Sequence, residues 1–115
     1  MTKYLGLNDI SCYKEAFLLS NCVWGLVVNG IQFINAIDSI SANIAEGFGR
    51  YGKKDKIKFY YYSFGSVKES LDWNEKAKVR GLLMEEEYKK IFAVLEKLPK
   101  SIHQLIKFTN EKLKQ

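Results

Sequence analysis

The amino-acid sequence predicts an all-α fold, an antiparallel up-down-up-down four-helix bundle formed by one domain over residues 1–115. Four segments repeat apolar residues every three or four positions, and none shows the alternation that is typical of a strand. The chain contains a single proline, Pro99, which favours long helices over a fold with many turns. Its 115 residues suit one domain with a buried core and are too few for two domains.

The first helix is predicted over residues 8–28, with Asn8 or Ser11 as its N-cap. Its apolar face consists of residues at three- and four-residue spacing, namely Ala16, Leu19, Val23, Leu26 and Val27. Asn29 and Gly30 should end this helix, because both residues tolerate the left-handed conformation that is common at a helix C-terminus.

The second helix is predicted over residues 31–48, where an apolar stripe runs beside a polar one. The apolar stripe consists of Ile34, Ile37, Ile40, Ile44 and Phe48. The polar stripe consists of Gln32, Asn35, Ser39, Asn43 and Glu46. Gly47 and Gly49 should mark the end of the helix, and a loop should follow at Tyr51 and Gly52.

The third helix is predicted over residues 55–80, with Asp55 as its N-cap and Gly81 as the residue that ends it. Ser63, Gly65 and Ser66 bring small side chains together, which would let a neighbouring helix approach closely. A glycine inside a helix costs about 1 kcal/mol relative to alanine, so a packing or functional reason for Gly65 is expected.

The fourth helix is predicted over residues 85–112. Three glutamates in its first turn, residues 85–87, and Lys112 near its end complement the helix dipole. Pro99 lies in the middle of this segment and should kink the helix or divide it in two.

The net charge of +5 favours polyanionic partners such as RNA, DNA or acidic lipid surfaces. The first six residues lack the layout of a signal peptide. The most apolar run, residues 17–28, is shorter than the roughly 20 residues that span a bilayer. We therefore expect no membrane association.

The two cysteines, Cys12 and Cys22, lie on the same predicted helix, about 15 Å apart along its axis. A disulfide requires Cα atoms within about 7 Å of each other, so an internal bridge is not expected. Both residues are predicted to be buried thiols in a reducing compartment, as in a cytoplasmic protein.

Residues 38–50, with the sequence DSISANIAEGFGR, resemble the hallmark of the 23S ribosomal RNA intervening-sequence proteins, a family of four-helix-bundle proteins. Residues 58–69 resemble a second block of the family, which runs from a phenylalanine to the sequence Gly-Ser-x-x-Glu. Residues 76–83, which place Arg80 just before a turn, are also similar to the family. The structural motif residues are Gln32, Asp38, Asn43, Glu46, Gly47, Gly65, Ser66 and Glu69.

This resemblance implies a left-handed bundle, no known catalytic activity and a cyclic homo-oligomer, typically a pentamer. Some members of the family are encoded within insertions in ribosomal RNA genes. Relatives serve as accessory proteins of diversity-generating retroelements, where they engage a reverse transcriptase and nucleic acid. The chain departs from the pattern at Asn35, where many relatives carry an arginine, and this weakens a nucleic-acid role for the second helix.

Asn43 and Glu46 share a helix face, and Ser66 and Glu69 on the next helix could approach them. Such a polar cluster could bind Arg50 or fix the register of the two helices. The alternative is that these groups only satisfy one another by hydrogen bonds, as buried polar groups must.

No constellation for catalysis is evident. A di-iron bundle uses Glu-x-x-His pairs, but the residue three positions before the only histidine, His103, is Lys100. Cys12, Cys22 and His103 lack the spacing of zinc ligands, and no base accompanies a nucleophile. The sequence therefore predicts no catalytic residue, no metal and no cofactor.

The strongest functional signal is a cluster of basic and aromatic residues around the second loop. Lysines neutralise phosphates, and aromatic rings stack on unpaired bases. The candidate nucleic-acid-binding residues are Arg50, Tyr51, Lys53, Lys54, Lys56, Lys58 and Tyr61. Three successive tyrosines, residues 60–62, cover about 200° of a helix, so at least one should face solvent or a neighbouring subunit. The alternative is a solvated run of charge beside ordinary core aromatics.

Two functions are compatible with these observations. The first is a homo-oligomeric adaptor that binds RNA, DNA or a nucleic-acid enzyme such as a reverse transcriptase through its basic, tyrosine-rich end. The second is a structural or protein-interaction module with no nucleic-acid role. In both cases the aromatic content of 14% exceeds what four helices readily bury, which predicts self-assembly.

Overall fold

The computed structural model of the protein describes residues 6–26 and 30–113, which form four α-helices and no strand. The helices are α1 (Ser11–Leu26), α2 (Ile31–Phe48), α3 (Lys53–Val79) and α4 (Glu85–Lys112), and a short 3-10 helix, Leu7–Asp9, precedes them. Each helix packs against two others in the cyclic order α1, α2, α3, α4. The all-α prediction with four helices is confirmed.

The boundaries of α2 and α4 coincide with the predicted ones, whereas α1 and α3 begin elsewhere. Ser11 is the first residue of α1, and Asn8 lies in the 3-10 helix. The predicted end of the first helix at Asn29, with Val27 on its apolar face, lies outside the described residues.

Asp55 does not cap α3, because the helix begins two residues earlier, at Lys53, and its N-cap is the extended residue Gly52. The Asp55 carboxylate lies instead in the first turn, where negative charge is favoured by the helix dipole. It also pairs with Lys58, at 3.6 Å.

Pro99 does not divide α4, which runs without interruption from Glu85 to Lys112. Proline removes one backbone donor from a helix, at a cost of about 3 kcal/mol. Leu95, Leu98 and Ile102 flank Pro99 and are completely buried. Burial of one such side chain contributes roughly 1.5–3 kcal/mol, so the packing of this turn outweighs the missing hydrogen bond.

The hydrophobic core contains residues from all four helices, including Val23 of α1, Ile40 of α2, Val67 of α3 and Leu98 of α4. A side-chain hydrogen bond ties α3 to α2 inside this core. The buried Ser63 hydroxyl donates to the backbone carbonyl of Ile40 at 2.7 Å. The Ser63 hydroxyl thus links α3 to α2 inside the core.

At Gly47, α2 and α3 pack too closely to leave room for a side chain. A Cβ atom at this position would lie 2.7 Å from Cε1 of Tyr60 and 2.9 Å from the backbone oxygen of Lys56. Gly47 therefore serves the contact between the two helices, and α2 continues past it to Phe48.

Gly65 lies on the exposed side of α3, unlike Gly47. A Cβ atom there would meet no atom of the described residues within 4 Å. Ser63 faces the core, but Gly65 does not, so the expected packing of Gly65 against another helix of the bundle is wrong.

Cys12 is buried and Cys22 is exposed, and both are free thiols. The prediction that Cys22 is buried is wrong, because ten residues of helix rotate its side chain by about 80° away from that of Cys12. None of the described helices is long and apolar enough to span a membrane.

Candidate nucleic-acid interface

The loop between α2 and α3 and the first turns of α3 form the basic end of the bundle, which we define as residues 49–58. The Tyr51 side chain is fully accessible to solvent. Gly49 and Gly52 flank the loop and cap the two helices. The last turn of α4 lies beside it, because the Lys53 ammonium donates to the carbonyl of Asn110 at 3.4 Å.

Arg50 is fixed by two neighbours. Its Nε and Nη2 atoms donate to one carboxylate oxygen of Glu46, at 3.1 and 2.7 Å, and its guanidinium lies 4.5 Å above the ring of Phe59. Of the four residues in the predicted polar cluster, Glu46 binds Arg50. The pair is 40–50% exposed, so its stabilising effect is small, but it sets where the guanidinium points.

Lys56 turns inward rather than toward solvent. Its ammonium donates to the carbonyl of Phe48 at 2.7 Å, which satisfies an acceptor at the end of α2. Partial burial lowers the pKa of Lys56. This lysine therefore stabilises the α2–α3 corner, and an anionic ligand would have to compete with that hydrogen bond.

Further exposed cations lie along the outside of α3. Steps of four, three, four and three residues return to the same side of a helix, and every position in this series is exposed. We call the series the outer stripe of α3; it consists of Lys54, Lys58, Tyr61, Gly65 and Lys68. It spans 14 residues, or about 21 Å of helix.

The outer stripe contains three of the predicted binding residues and two that were not predicted to bind. Tyr61 is 53% exposed and Lys68 lies 5.3 Å above the ring of Phe64. The stripe ends at Asp72, which pairs with Lys76 at 2.6 Å. The regular spacing after Lys54 could have identified Lys68 from the sequence alone.

The three successive tyrosines divide as predicted. Tyr60 is only 2% exposed, while Tyr61 and Tyr62 are 53% and 52% exposed. Burial raises the pKa of Tyr60 to about 12 and that of Cys12 to about 11, so both groups are neutral at physiological pH. Neither is prepared to act as a nucleophile.

The predicted polar cluster does not assemble. Asn43 donates to the carbonyl of Ser39 at 2.9 Å on its own helix, and Glu69 accepts from the indole nitrogen of Trp73 at 3.4 Å on its own helix. Lys56, not Glu69, lies against Gly47, and Glu69 is thirteen residues, or about 20 Å, further along α3. The expected approach of Glu69 to Glu46 is wrong, because the register of the two helices separates them.

The remaining motif residues are distributed over the bundle. Gln32 and Asp38 are exposed on α2, and Ser66 is half-buried on α3. The Asp38 carbonyl accepts a hydrogen bond from Ser41 at 3.4 Å. His103 is exposed on α4 and stacks on Phe64 with ring centroids 4.8 Å apart. Within residues 6–26 and 30–113, no three His, Cys, Asp or Glu side chains are grouped so as to hold a metal ion.

Comparison with known proteins supports the family suggested by the motifs. Residues 8–104 match the model of the 23S rRNA-intervening sequence protein family. The match covers α1, α2, α3 and most of α4. No curated protein and no solved structure matches the chain at a significant level. The chain belongs to the 23S rRNA-intervening sequence protein family.

Proposed function

We propose that this protein is a non-enzymatic, homo-oligomeric bundle that binds single-stranded RNA or DNA through its basic, tyrosine-rich end. The observation that supports this proposal most strongly is the outer stripe of α3. It places three lysines and one tyrosine on a single exposed face. Lysines at these positions can follow a phosphate backbone, and Tyr61 can stack on an unpaired base.

The outer stripe also gives Gly65 a function. Gly65 lies between Tyr61 and Lys68 on the stripe, carries no side chain, and has open space outside it. A strand can approach the helix there more closely than any side chain would allow. Tyr51 lies in the loop before α3, and its side chain is fully exposed.

The proposed assembly is an antiparallel, left-handed bundle of one domain that forms a ring of identical subunits, with five as the number expected from the family. Large apolar side chains on the surface support self-assembly. Those that are more than 60% exposed are Leu18, Trp24, Ile31, Val79 and Met84. A ring would repeat the basic end in every subunit and strengthen weak contacts by avidity.

The proposal extends to a cellular setting. Two free thiols fit a reducing, cytoplasmic location. A further partner would be a nucleic-acid enzyme such as the reverse transcriptase of the retroelement relatives. This enzyme would bind the same RNA or DNA strand as the basic end.

The proposal is tested by binding of a labelled single-stranded RNA across a potassium chloride series. The Lys54→Gln/Lys58→Gln double variant should weaken binding and reduce the salt slope by about 0.7 for each cation removed. The matched control is Lys89→Gln/Lys90→Gln, which removes the same charge from the exposed start of α4. Lys56 is left intact because it supports the α2–α3 corner.

Two results would reject this interface. One is the absence of RNA and DNA binding at low salt. The other is an equal loss of affinity in the test and control variants, which would indicate only an effect of net charge.

The second candidate function is a structural or protein-interaction module with no nucleic-acid role. It is favoured by the internal partners of Arg50, Lys56 and Lys58, which reduce the number of free cations. In that case the assembly would form normally while neither RNA nor DNA binds, and a protein partner would be retained after nuclease treatment.

A further inference from the structure

An aromatic pair joins α3 and α4 at the surface of the bundle. His103 of α4 stacks on Phe64 of α3, with ring centroids 4.8 Å apart and an angle of 11° between the ring planes. Phe64 is partly buried against the core, whereas His103 is exposed. Because one imidazole face lies on Phe64 and the residue is still exposed, solvent reaches the opposite face and the outer edge of the imidazole.

The Phe64 ring itself is not available to a ligand. His103 covers it from α4, and the Lys68 ammonium lies 5.3 Å from its centroid. Within residues 6–26 and 30–113, no second aromatic ring stacks on His103. Of the two rings, His103 is therefore the one that can accept a base.

Three lysines lie within about one turn of this pair. Lys68 follows Phe64 by four residues on α3. Lys100 lies three residues before His103 on α4, and Lys107 lies four residues after it. Residues at these spacings share one side of a helix, so each lysine lies on the same side as its stacked ring. We call these five residues the α3–α4 face.

The lysines of the α3–α4 face are free to meet an anion. All three are exposed, and none has an ion-pair partner in the part of the chain that the structure describes. On α4, the exposed carboxylates of Glu96 and Glu111 lie one turn before Lys100 and one turn after Lys107. They confine the cationic stretch of α4 to residues 100–107, which is about 10 Å of helix.

The α3–α4 face stays accessible in the proposed assembly. Of the large apolar residues that are more than 60% exposed and support self-assembly, only Val79 lies on α3, and none lies within α4. Val79 is fifteen residues beyond Phe64, or about 22 Å along the helix.

We infer that the α3–α4 face is a second contact of the nucleic-acid interface, where His103 stacks on one unpaired base and the three lysines contact phosphates. Histidine is among the side chains on which unpaired bases stack. An imidazole already oriented by Phe64 loses little freedom when a base binds. Lys68 also belongs to the outer stripe, so one strand can follow the stripe and reach α4. The inference rests on the proposed function for the class of ligand.

The first test separates stacking from charge. The probes are a labelled adenine RNA dodecamer and an abasic strand of the same length, which presents phosphates without bases. His103→Ala should weaken binding of the dodecamer about fivefold and leave binding of the abasic strand unchanged, because it removes only the stacking surface. His103→Phe retains a ring that can stack and should keep the affinity within about twofold of the parent.

The second test compares two lysine pairs that have the same seven-residue spacing on α4. Lys100→Gln/Lys107→Gln removes the cations beside α3 and should reduce the salt slope of RNA binding by about 0.7 for each cation. The matched control is Lys90→Gln/Lys97→Gln, which removes the same charge from the groove between α4 and α1. The control should leave the slope nearly unchanged.

Three results would overturn the inference. Equal weakening by the two lysine pairs would reflect net charge alone. Equal weakening of both probes in His103→Ala would show that no base stacks there. An affinity as low in His103→Phe as in His103→Ala would show that the ring is not what the ligand contacts.

Failure here is distinguishable from failure of the basic end. If Lys54→Gln/Lys58→Gln weakens RNA binding while His103→Ala and Lys100→Gln/Lys107→Gln do not, the α3–α4 face is rejected and the basic end stands. The reverse result rejects the basic end and leaves the α3–α4 face as the interface.

Discussion

At the basic end, Arg50, Lys56 and Lys58 each hold a partner from their own chain, whereas at the opposite end Ile31, Val79 and Met84 expose large apolar surfaces. Both ends thus depart from what composition alone suggests. A count of positive charges overestimates the number of free cations at the first end. A count of apolar residues does not reveal that several of them lie outside the core at the opposite end.

The difference suggests separate tasks for the two ends. Exposed lysines without an ion-pair partner among the described residues, such as Lys54 and Lys68, are suited to the phosphates of a polyanion. Exposed aliphatic side chains gain most from burial against another apolar surface. In the proposed assembly the basic end meets nucleic acid, while the opposite end contributes to contacts between subunits.

The largest expected effect concerns the corner that supports the basic end. Gly47→Ala forces α2 and α3 apart at the Lys56 carbonyl, and we expect a loss of about 1–3 kcal/mol in the free energy of unfolding. Gly65→Ala is the matched control: it adds a methyl group to open space and should stabilise the helix by roughly 0.5–1 kcal/mol. Urea denaturation of both variants measures the contrast.

Equal stability changes in the two glycine variants would contradict the close approach at Gly47. A destabilising Gly65→Ala would place that residue against another subunit and remove it from the proposed strand path.

The second prediction concerns the apolar end. Ile31→Ser combined with Met84→Ser should weaken self-association about tenfold, because both side chains are about 70% exposed in the single chain and would lose apolar burial in the assembly. Sedimentation velocity measures the shift toward smaller species. Tyr51→Ser, at the basic end, is the control and should leave the assembly unchanged. A stable monomer of the parent protein at micromolar concentration would contradict the assembly itself.

The third prediction uses the buried titrating groups near the basic end. The pKa values of Cys12 and Tyr60 are raised from 9.0 to about 11 and from 10.0 to about 12, so the unfolded chain loses these protons first as the pH rises. The stability they contribute is therefore complete below pH 9 and is lost between pH 9 and 12. The lowered pKa of Lys56 has the opposite effect, because it makes stability rise with pH, but Lys56 is less buried than Cys12 and Tyr60.

Tyr60→Phe should recover about 1 kcal/mol of the free energy of unfolding that is lost at pH 11. Thermal denaturation at pH 8 and pH 11 measures this recovery. At the opposite end, a hydrogen bond to the Glu75 carboxylate raises the pKa of Tyr88, which lies nearer the surface. Tyr88→Phe should have the smaller effect. A larger recovery in Tyr88→Phe would contradict the assignment of the alkaline transition to the core.

The smallest effect is expected from the partner of Arg50. Glu46→Gln removes a negative charge and releases the guanidinium, and it should raise the affinity for single-stranded RNA two- to fivefold, or about 0.5–1 kcal/mol. Glu86→Gln makes the same change at the exposed start of α4 and should have less effect. An unchanged or reduced affinity in Glu46→Gln would show that Arg50 does not face the ligand.

The fold was largely predictable because long amphipathic patterns determine helices. Residues 31–48 and 85–112 have the predicted boundaries, and Gly81 ends α3 as its left-handed φ requires. The N-cap prediction for Asp55 is wrong because an acidic capping residue is also favourable in the first turn of a helix. Pro99 does not divide α4, because the cost of a proline is local, whereas its neighbours Leu95, Leu98 and Ile102 are buried in the common core.

The site was less predictable, because its geometry depends on contacts between helices. The Arg50–Glu46 pair follows from four-residue spacing, which the sequence shows directly. The inward turn of Lys56 follows from the position of the Phe48 carbonyl, which no spacing reveals. Likewise, the separation of Glu69 from Glu46 depends on the register of α2 and α3, which the close approach at Gly47 determines.

The most direct test of the central claim is ultraviolet crosslinking of a single-stranded RNA to the intact assembly, with the crosslinked residues located by mass spectrometry. The account predicts crosslinks at Tyr51 and Tyr61, which lie at the exposed basic end and on the outer stripe of α3. These crosslinks should be lost in the Lys54→Gln/Lys58→Gln variant. Crosslinks confined to the outer faces of α1 and α4, or none at low salt, would contradict the account.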